Sequence, residues 1–315
     1  MRSESSADRL CAVSVDLDEI PCYTAIHGLP APPERVATAI YRRALPRLVE
    51  LFDTLSLPVT FFVIGRDLEQ AHARAAVAEL ARRGHELGNH TFDHFYDLTR
   101  RERAVMREQV ARCADAIAEA TGAAPVGFRA PGYTINDTLF DVLGELGVRY
   151  DSSVFPCPGY YAAKLAAISG YRLLGRRSHS VVDHPRVLTA PADPYRVGTP
   201  YSRPGSRLLE LPIGVTRASS GRLPFIGTNV VMAGERVARW WSDRIAGRSL
   251  VNLELHGIDG ADAQEDGLTD LARHQPDLRV TARAKLSALR AALERLREHG
   301  YQFVTLARAA EAFSR

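Results

Sequence analysis

The chain has 315 residues, 46% of them hydrophobic and 24% charged, with a formal net charge of +3. That balance fits a globular enzyme with a large core and excludes extended disorder; the small, dispersed positive charge leaves no footprint for nucleic acid or anionic lipid. Residues 1–8 are polar and the apolar stretch 10–15 is too short for a signal h-region or a membrane span, so a cytoplasmic protein with no membrane span is expected.

The first predicted strand contains Ala12-Val13-Ser14-Val15-Asp16-Leu17-Asp18. Strand side chains alternate, so Asp16 and Asp18 share one face while Val15 and Leu17 point into packing. A strand over 58–64 and a helix carrying Val77 and Leu80 before Gly84 lead to His90-Thr91-Phe92-Asp93-His94. Met106, Val110, Cys113 and Ile117 form a helical stripe that stops at Gly122, followed by a strand at 126–129. Asn136 or Asp137 can cap a short helix ending near Gly147, and a strand is expected over 150–154. From 155 to 207 the pattern dissolves into Pro, Gly, Tyr and Arg, which reads as a long loop insertion. Its Tyr160, Tyr161 and Tyr195 read as a stacking wall or lid. Strands follow at 208–213 and 250–256, then a helix with Leu286, Leu289, Leu293 and Leu296 before Gly300, and a last strand at 302–306.

Alternating strands and helices predict a parallel sheet with helices outside, and polar candidates at the strand ends favour a barrel over an open sheet. The expected fold class is α/β: a single parallel (β/α) barrel over residues 1–315, with an insertion at about 155–207. Cys11, Cys22, Cys113 and Cys157 show no C-x-x-C spacing and read as buried thiols. Lys164 and Lys285 are the two lysines among 40 basic side chains. Two histidines four apart, brought beside one carboxylate, make an N,N,O site with room for water, which is a metal-hydrolase constellation. In Asn252-Leu253-Glu254-Leu255-His256, alternation sends Leu253 and Leu255 outward and puts Glu254 and His256 on the inner face. A buried Glu254 needs a partner: an arginine, a water network, or a polar or amino-bearing substrate that it recognises.

Asp16-Leu17-Asp18, His90-Thr91-Phe92-Asp93-His94, Arg129-Ala130-Pro131-Gly132-Tyr133, Asp151-Ser152-Ser153, Leu211-Pro212 and Leu255-His256, in that order, resemble the successive motifs of the NodB-homology polysaccharide deacetylases. The resemblance implies a distorted parallel (β/α) barrel in which Asp18, His90 and His94 bind one divalent ion, Zn²⁺ before Co²⁺ or Mn²⁺. It makes Asp16 the catalytic base, Arg129 the arginine that orients it, and His256 the general acid, with Asp151 as the acid's carboxylate partner. Gly132 stands where many relatives place a tyrosine amide toward the oxyanion, so the Gly132 or the Tyr133 N–H is the expected donor. Leu211 and Glu254 are expected at the substrate pocket; many relatives carry an apolar residue in place of Glu254.

The implied activity is a metal-dependent deacetylase acting on an N-acyl group, N-acetyl above all, of a sugar or glycan intermediate. A deformylase or cyclic-amide hydrolase acting on a small substrate is the alternative within the superfamily. A catalytically inactive glycan-binding barrel is the alternative of another class, and it predicts decay of the polar constellation. The sequence carries no signal for oligomeric state.

Overall fold

In the computed structural model, which describes residues 9–314 apart from 174 and 176, strand β1 (Leu10–Asp16) is buried along its whole length. Its two faces go to different places. Cys11, Val13 and Val15, with Leu17 beyond the strand, join Phe61, Val63, Leu253 and Leu255 in a cluster with the surrounding helices. Leu10 and Ala12 join Phe62, Leu209 and Leu250 on the inner side. A strand buried on both faces is the mark of a parallel sheet wrapped by helices.

Around it run α1 (Ile20–Ile26), α2 (Glu34–Ala37), α3 (Leu45–Thr54), β2 (Val59–Val63), α4 (Ala71–Arg82), β3 (Glu86–Asn89), α5 (Arg103–Thr121) and β4 (Gly127–Phe128). Then come α6 (Asp137–Glu145), β5 (Tyr150–Asp151), α7 (Pro158–Leu173), β6 (Tyr195–Val197), β7 (Pro204–Glu210) and α8 (Gly227–Ile245). The chain ends with β8 (Leu250–His256), α9 (Ala282–Glu298), β9 (Gln302–Val304) and α10 (Leu306–Phe313). The sheet order is β6-β7-β5-β4-β3-β2-β1-β8, with β9 also paired to β1. Among the described residues, every pairing between these strands is parallel except that of β6 with β7. Strand β9 takes 10–12 of the β1 edge that β2 uses over 13–16.

Between β7 and β8 the ring is closed by single contacts rather than by a ladder. Gly214 N–H donates to Asn252 O at 2.8 Å, and Asn252 Nδ2 donates to Leu211 O at 3.0 Å and Pro212 O at 3.2 Å. Leu306 and Ala309 of α10 pack against the inner cluster. The result is a curled, incompletely closed β/α barrel. Local signals act as expected at the helix ends: Asn136 accepts from Leu139 N–H at 2.8 Å, and Gly122 ends α5 at φ +80°.

The segment 155–207 differs from the expected irregular excursion. It holds the 16-residue helix α7, strand β6 and the start of β7, which pairs with β6 antiparallel. No residue of α7 is fully buried, so it lacks the apolar stripe that would betray it, and it opens on Pro158-Gly159. Tyr195 is not part of a wall: it is buried in the cluster with Val187 and Tyr201, and its hydroxyl donates to Tyr201 O at 2.8 Å. Strand β5 is shorter than expected because Val154 N–H donates to Glu210 Oε1 (3.0 Å) instead of extending a ladder. The four cysteines are unpaired, with Cys22 partly exposed. Among the described residues, no helix is long and apolar enough to cross a membrane.

Candidate active site

Strand register assembles the site. Asp16 lies opposite Phe62 on β2 and opposite His256 on β8, and Ser14 lies opposite Glu254. Asn89 pairs with Phe128, so the residues that follow them, His90 and Arg129, leave the sheet side by side. His90 Nδ1 lies 2.8 Å from Arg129 O. A carbonyl only accepts, so this contact puts the proton on Nδ1 and leaves the Nε2 lone pair for a ligand.

His90 Nε2 and His94 Nε2 converge on Asp18 Oδ1 at 3.4 and 3.3 Å. Asp18 Oδ1 and His94 Nε2 are buried without a hydrogen-bond partner. The three ligand-type atoms lie within 4.8 Å of one another. Burial pushes the Asp18 carboxyl up, but His94 and His90 outweigh it and hold it well below the usual carboxylate range. Burial pulls His90 down, and Asp16 and Asp18 more than reverse this. The cluster therefore draws positive charge into a buried spot whose donor atoms are otherwise unsatisfied, and its N,N,O chemistry fits a divalent ion such as Zn²⁺. Asn89 Oδ1 accepts from Thr91 N–H at 2.9 Å and Gln109 clamps Asp93 at 2.7 Å, which holds the 90–94 loop although Thr91 and His94 sit at φ +67° and +54°. Such left-handed non-glycine residues cost about 1–3 kcal/mol each and persist where surroundings over-determine them.

Arg129 is wholly buried. Its Nη1 donates to Asp16 Oδ1 at 2.7 Å, its Nε to Ser152 O at 2.8 Å and its Nη2 to Ser152 Oγ at 2.9 Å, while the guanidinium stacks 4.2 Å from the Phe62 ring centroid. Asn252 Nδ2 donates to Ser152 Oγ at 2.9 Å, and Ser152 Oγ donates to Leu211 O at 2.9 Å. This seat fixes the planar fork, and the fork fixes the Asp16 carboxylate. Ser152 and Asn252 are not among the residues expected from the sequence. Leu211 supplies a carbonyl to the seat, and its side chain is buried in the inner apolar cluster rather than at a substrate surface.

The partner of His256 is Glu254, not Asp151. Glu254 Oε1 lies 2.8 Å from His256 Nδ1. Asp151 instead accepts from Ser153 N–H (3.0 Å) and Ser153 Oγ (2.7 Å) and sits beside Glu210, which burial and Asp151 together raise well above the carboxylate range. Nor is Glu254 matched with an arginine in direct contact. Desolvation lowers the His256 pKa, but Glu254, then Asp16 and Asp18, raise it well above that of an ordinary imidazole. Asp16, Glu254 and His256 also bring ligand-type atoms within 4.8 Å; with Arg129 on Asp16 and His256 on Glu254, this second group is already charge-balanced and suits proton transfer.

Of the two amides in question, Tyr133 N–H donates to Ala130 O at 3.0 Å, leaving the Gly132 N–H as the candidate oxyanion donor. Tyr133 lies 6.1 Å from His256 and 5.8 Å from Tyr160, ring centroid to centroid, and Tyr160 lies 4.8 Å from Phe155. Tyr23 approaches His256 at 6.4 Å and Tyr96 approaches His94 at 4.7 Å. The Tyr23 and Tyr133 hydroxyls are buried without partners, and sequence patterning carries no sign of either Tyr23 or Tyr96 at the site. A cleft of about 670 Å³ opens beside His94 and Tyr96, with Asp67, Arg66 and Arg101 on its walls. Glu19, next to Asp18, is structural: it accepts from Ile20, Ile40 and Tyr41 N–H at 3.3, 3.0 and 3.1 Å.

Fold and site together define a β/α barrel whose strand ends carry a cation-ready cluster beside a separate proton-transfer pair. Residues 38–150 match the sequence profile of the family described as Polysaccharide deacetylase. A peptidoglycan deacetylase of Helicobacter pylori (strain ATCC 700392 / 26695) is 27% identical over 150 residues, covering 46% of this chain and 49% of that protein, so the match spans about half the length of the curated relative. A Mycobacterium smegmatis structure described as a polysaccharide deacetylase has a TM-score of 0.59 at 20% identity, covering 96% of this chain and 90% of the other. Puue allantoinase has a TM-score of 0.61 at 16% identity, covering 98% and 91%; at these identities both show the fold alone. Residues 38–150 carry the likeness to the polysaccharide deacetylases, and the structural matches extend it over the rest of the chain as a likeness of fold.

Proposed function

We propose that the protein is a metal-dependent hydrolase that removes an N-acyl group, in the simplest case N-acetyl, from a sugar or glycan intermediate. One observation carries this reading: a buried N,N,O cluster with unsatisfied donor atoms lies beside an independently held carboxylate and an independently held imidazole. A divalent ion held by Asp18, His90 and His94, Zn²⁺ by ligand chemistry, would supply Lewis acidity to the attacking water and the acyl oxygen. Asp16, fixed by Arg129, accepts the proton of that water. Gly132 N–H meets the oxygen on which negative charge grows. His256 gives its proton to the leaving nitrogen, so the C–N bond breaks to release an amine, and Glu254 keeps His256 charged until then.

An inert glycan-binding barrel would have no use for this arrangement. Burying Arg129, Asp16 and Glu254 carries a desolvation penalty that a binding surface does not require. Acetate release from N-acetylglucosamine oligomers, measured alongside N-formyl sugars and a ring amide, tests the reading; turnover confined to the ring amide would replace it, and inertness toward all three would refute it.

The acid works only while protonated, so turnover should hold below the raised pKa of His256 and fall as pH rises through it. Glu254→Gln removes the strongest upward influence on that pKa. Its basic limb should move to lower pH, with turnover at alkaline pH down about tenfold or more and the ion retained. An unmoved basic limb in a folded Glu254→Gln protein would assign the acid elsewhere. Tyr160, whose ring stands beside Tyr133 and Phe155, should contribute to sugar binding by stacking. Tyr160→Ala should raise KM by about three- to tenfold with little change in bound metal; unchanged KM would remove Tyr160 from the substrate wall.

A further inference from the structure

We propose that Lys164 is a positioning residue for this hydrolysis: reaching over from α7, it holds the peptide between Gly132 and Tyr133 and so fixes the turn that presents the Gly132 amide. The inference rests on the hydrolase reading given above.

Lys164 Nζ donates to Gly132 O at 2.8 Å. That carbonyl lies between two left-handed residues, Gly132 and Tyr133, both at φ +60°. Glycine adopts this conformation freely, but tyrosine does not, so the second of the two needs an external restraint. A charged donor on the linking peptide is such a restraint, because it fixes the plane from which both torsions are set. The ammonium also lies 5.8 Å from the Tyr160 ring centroid, and a Cβ added to Gly132 would meet Tyr96 Cδ1 at 3.0 Å and Lys164 Nζ at 3.5 Å. The turn, the aromatic wall and the lysine therefore form one packed unit.

Composition points the same way. In a chain that uses arginine for nearly every cation, the two lysines stand apart. Lys285 is fully buried and donates to Ile258 O at 3.0 Å; Lys164 is half-buried and donates to Gly132 O. Each reaches a main-chain carbonyl with a compact ammonium on a thin stem, where a planar guanidinium needs more room. Since α7 contributes no fully buried residue to the core, Lys164 ties this surface helix to the turn by a polar contact, beside the packing of Tyr160 on Tyr133.

The experiment compares wild type, Lys164→Met and Lys164→Arg, using N-acetylglucosamine oligomers for kinetics and hydrogen exchange of residues 130–134 without substrate. Lys164→Met should lower kcat about tenfold with KM and metal content within twofold, a smaller loss than removing an oxyanion donor outright. Its Tyr133 amide should exchange about tenfold faster. Lys164→Arg keeps a donor and should recover part of both. Unchanged kcat in Lys164→Met, or a rise in KM alone, would overturn the proposal, as would unchanged exchange. Should the Met variant fold poorly, Lys164→Leu removes the charge and the donor together and carries the same comparison, with the same results overturning it. Failure of the hydrolase reading looks different: wild type itself would release no acetate.

Discussion

Replacing His94 by alanine should release the bound ion and lower turnover by more than about a thousandfold, because an N,N,O site that loses an imidazole keeps neither its affinity nor its geometry. The protein should stay folded. The 90–94 loop is held by contacts that do not involve the His94 ring: Asn89 on Thr91 N–H, Gln109 on Asp93, and Arg66 Nε on Asp93 Oδ1 at 2.6 Å. His90→Ala should have the same effect on metal and turnover, with a further loss of stability because Arg129 O loses the His90 Nδ1 donor. Metal analysis and circular dichroism on the purified variants check both statements. Full occupancy with intact turnover in His94→Ala would end the assignment of the ligand set.

The second large effect separates the two aspartates. Asp16→Asn should keep the ion and lose about a thousandfold or more in turnover, since an amide cannot take the proton. Asp18→Asn should lose the ion. Asp16→Asn should also melt earlier than wild type: it leaves a buried guanidinium facing an uncharged group, and breaking a buried ion pair costs about 3–5 kcal/mol. The bonds from Arg129 to Ser152 keep the fork in place, so assays below the lowered Tm still read the catalytic role. Metal loss in Asp16→Asn with retention in Asp18→Asn would show that the two roles are exchanged.

Period-two patterning makes much of the site legible in the amino-acid sequence. Alternation alone puts Asp16 with Asp18 and Glu254 with His256, and the β1–β8 register places the two pairs side by side. The glycine stop of α5 and the cap at Asn136 are equally local signals. What stays hidden depends on contacts across the chain. Ser152 reaches Arg129 and Asn252 from 23 and 100 residues away, and no local pattern announces that. Asp151 and Ser152 are chain neighbours, but it is Ser152 that serves Arg129 while Asp151 turns to Ser153 and Glu210. Helix α7 escapes notice because a helix that buries no side chain completely carries no stripe. For the same reason Lys164 gives no sign of its reach to Gly132.

The central claim is that hydrolysis needs an ion in the Asp18, His90, His94 cluster and a base at Asp16. The direct test strips the protein with a chelator, then adds Zn²⁺ in measured steps while acetate release from N-acetylglucosamine oligomers and bound zinc are followed together. Acetate release should rise in proportion to bound zinc, reach its plateau at one ion per chain, and stay near baseline throughout for Asp16→Asn although that variant takes up the same ion. Acetate release by the fully stripped protein, or by zinc-loaded Asp16→Asn at the wild-type rate, would contradict the account.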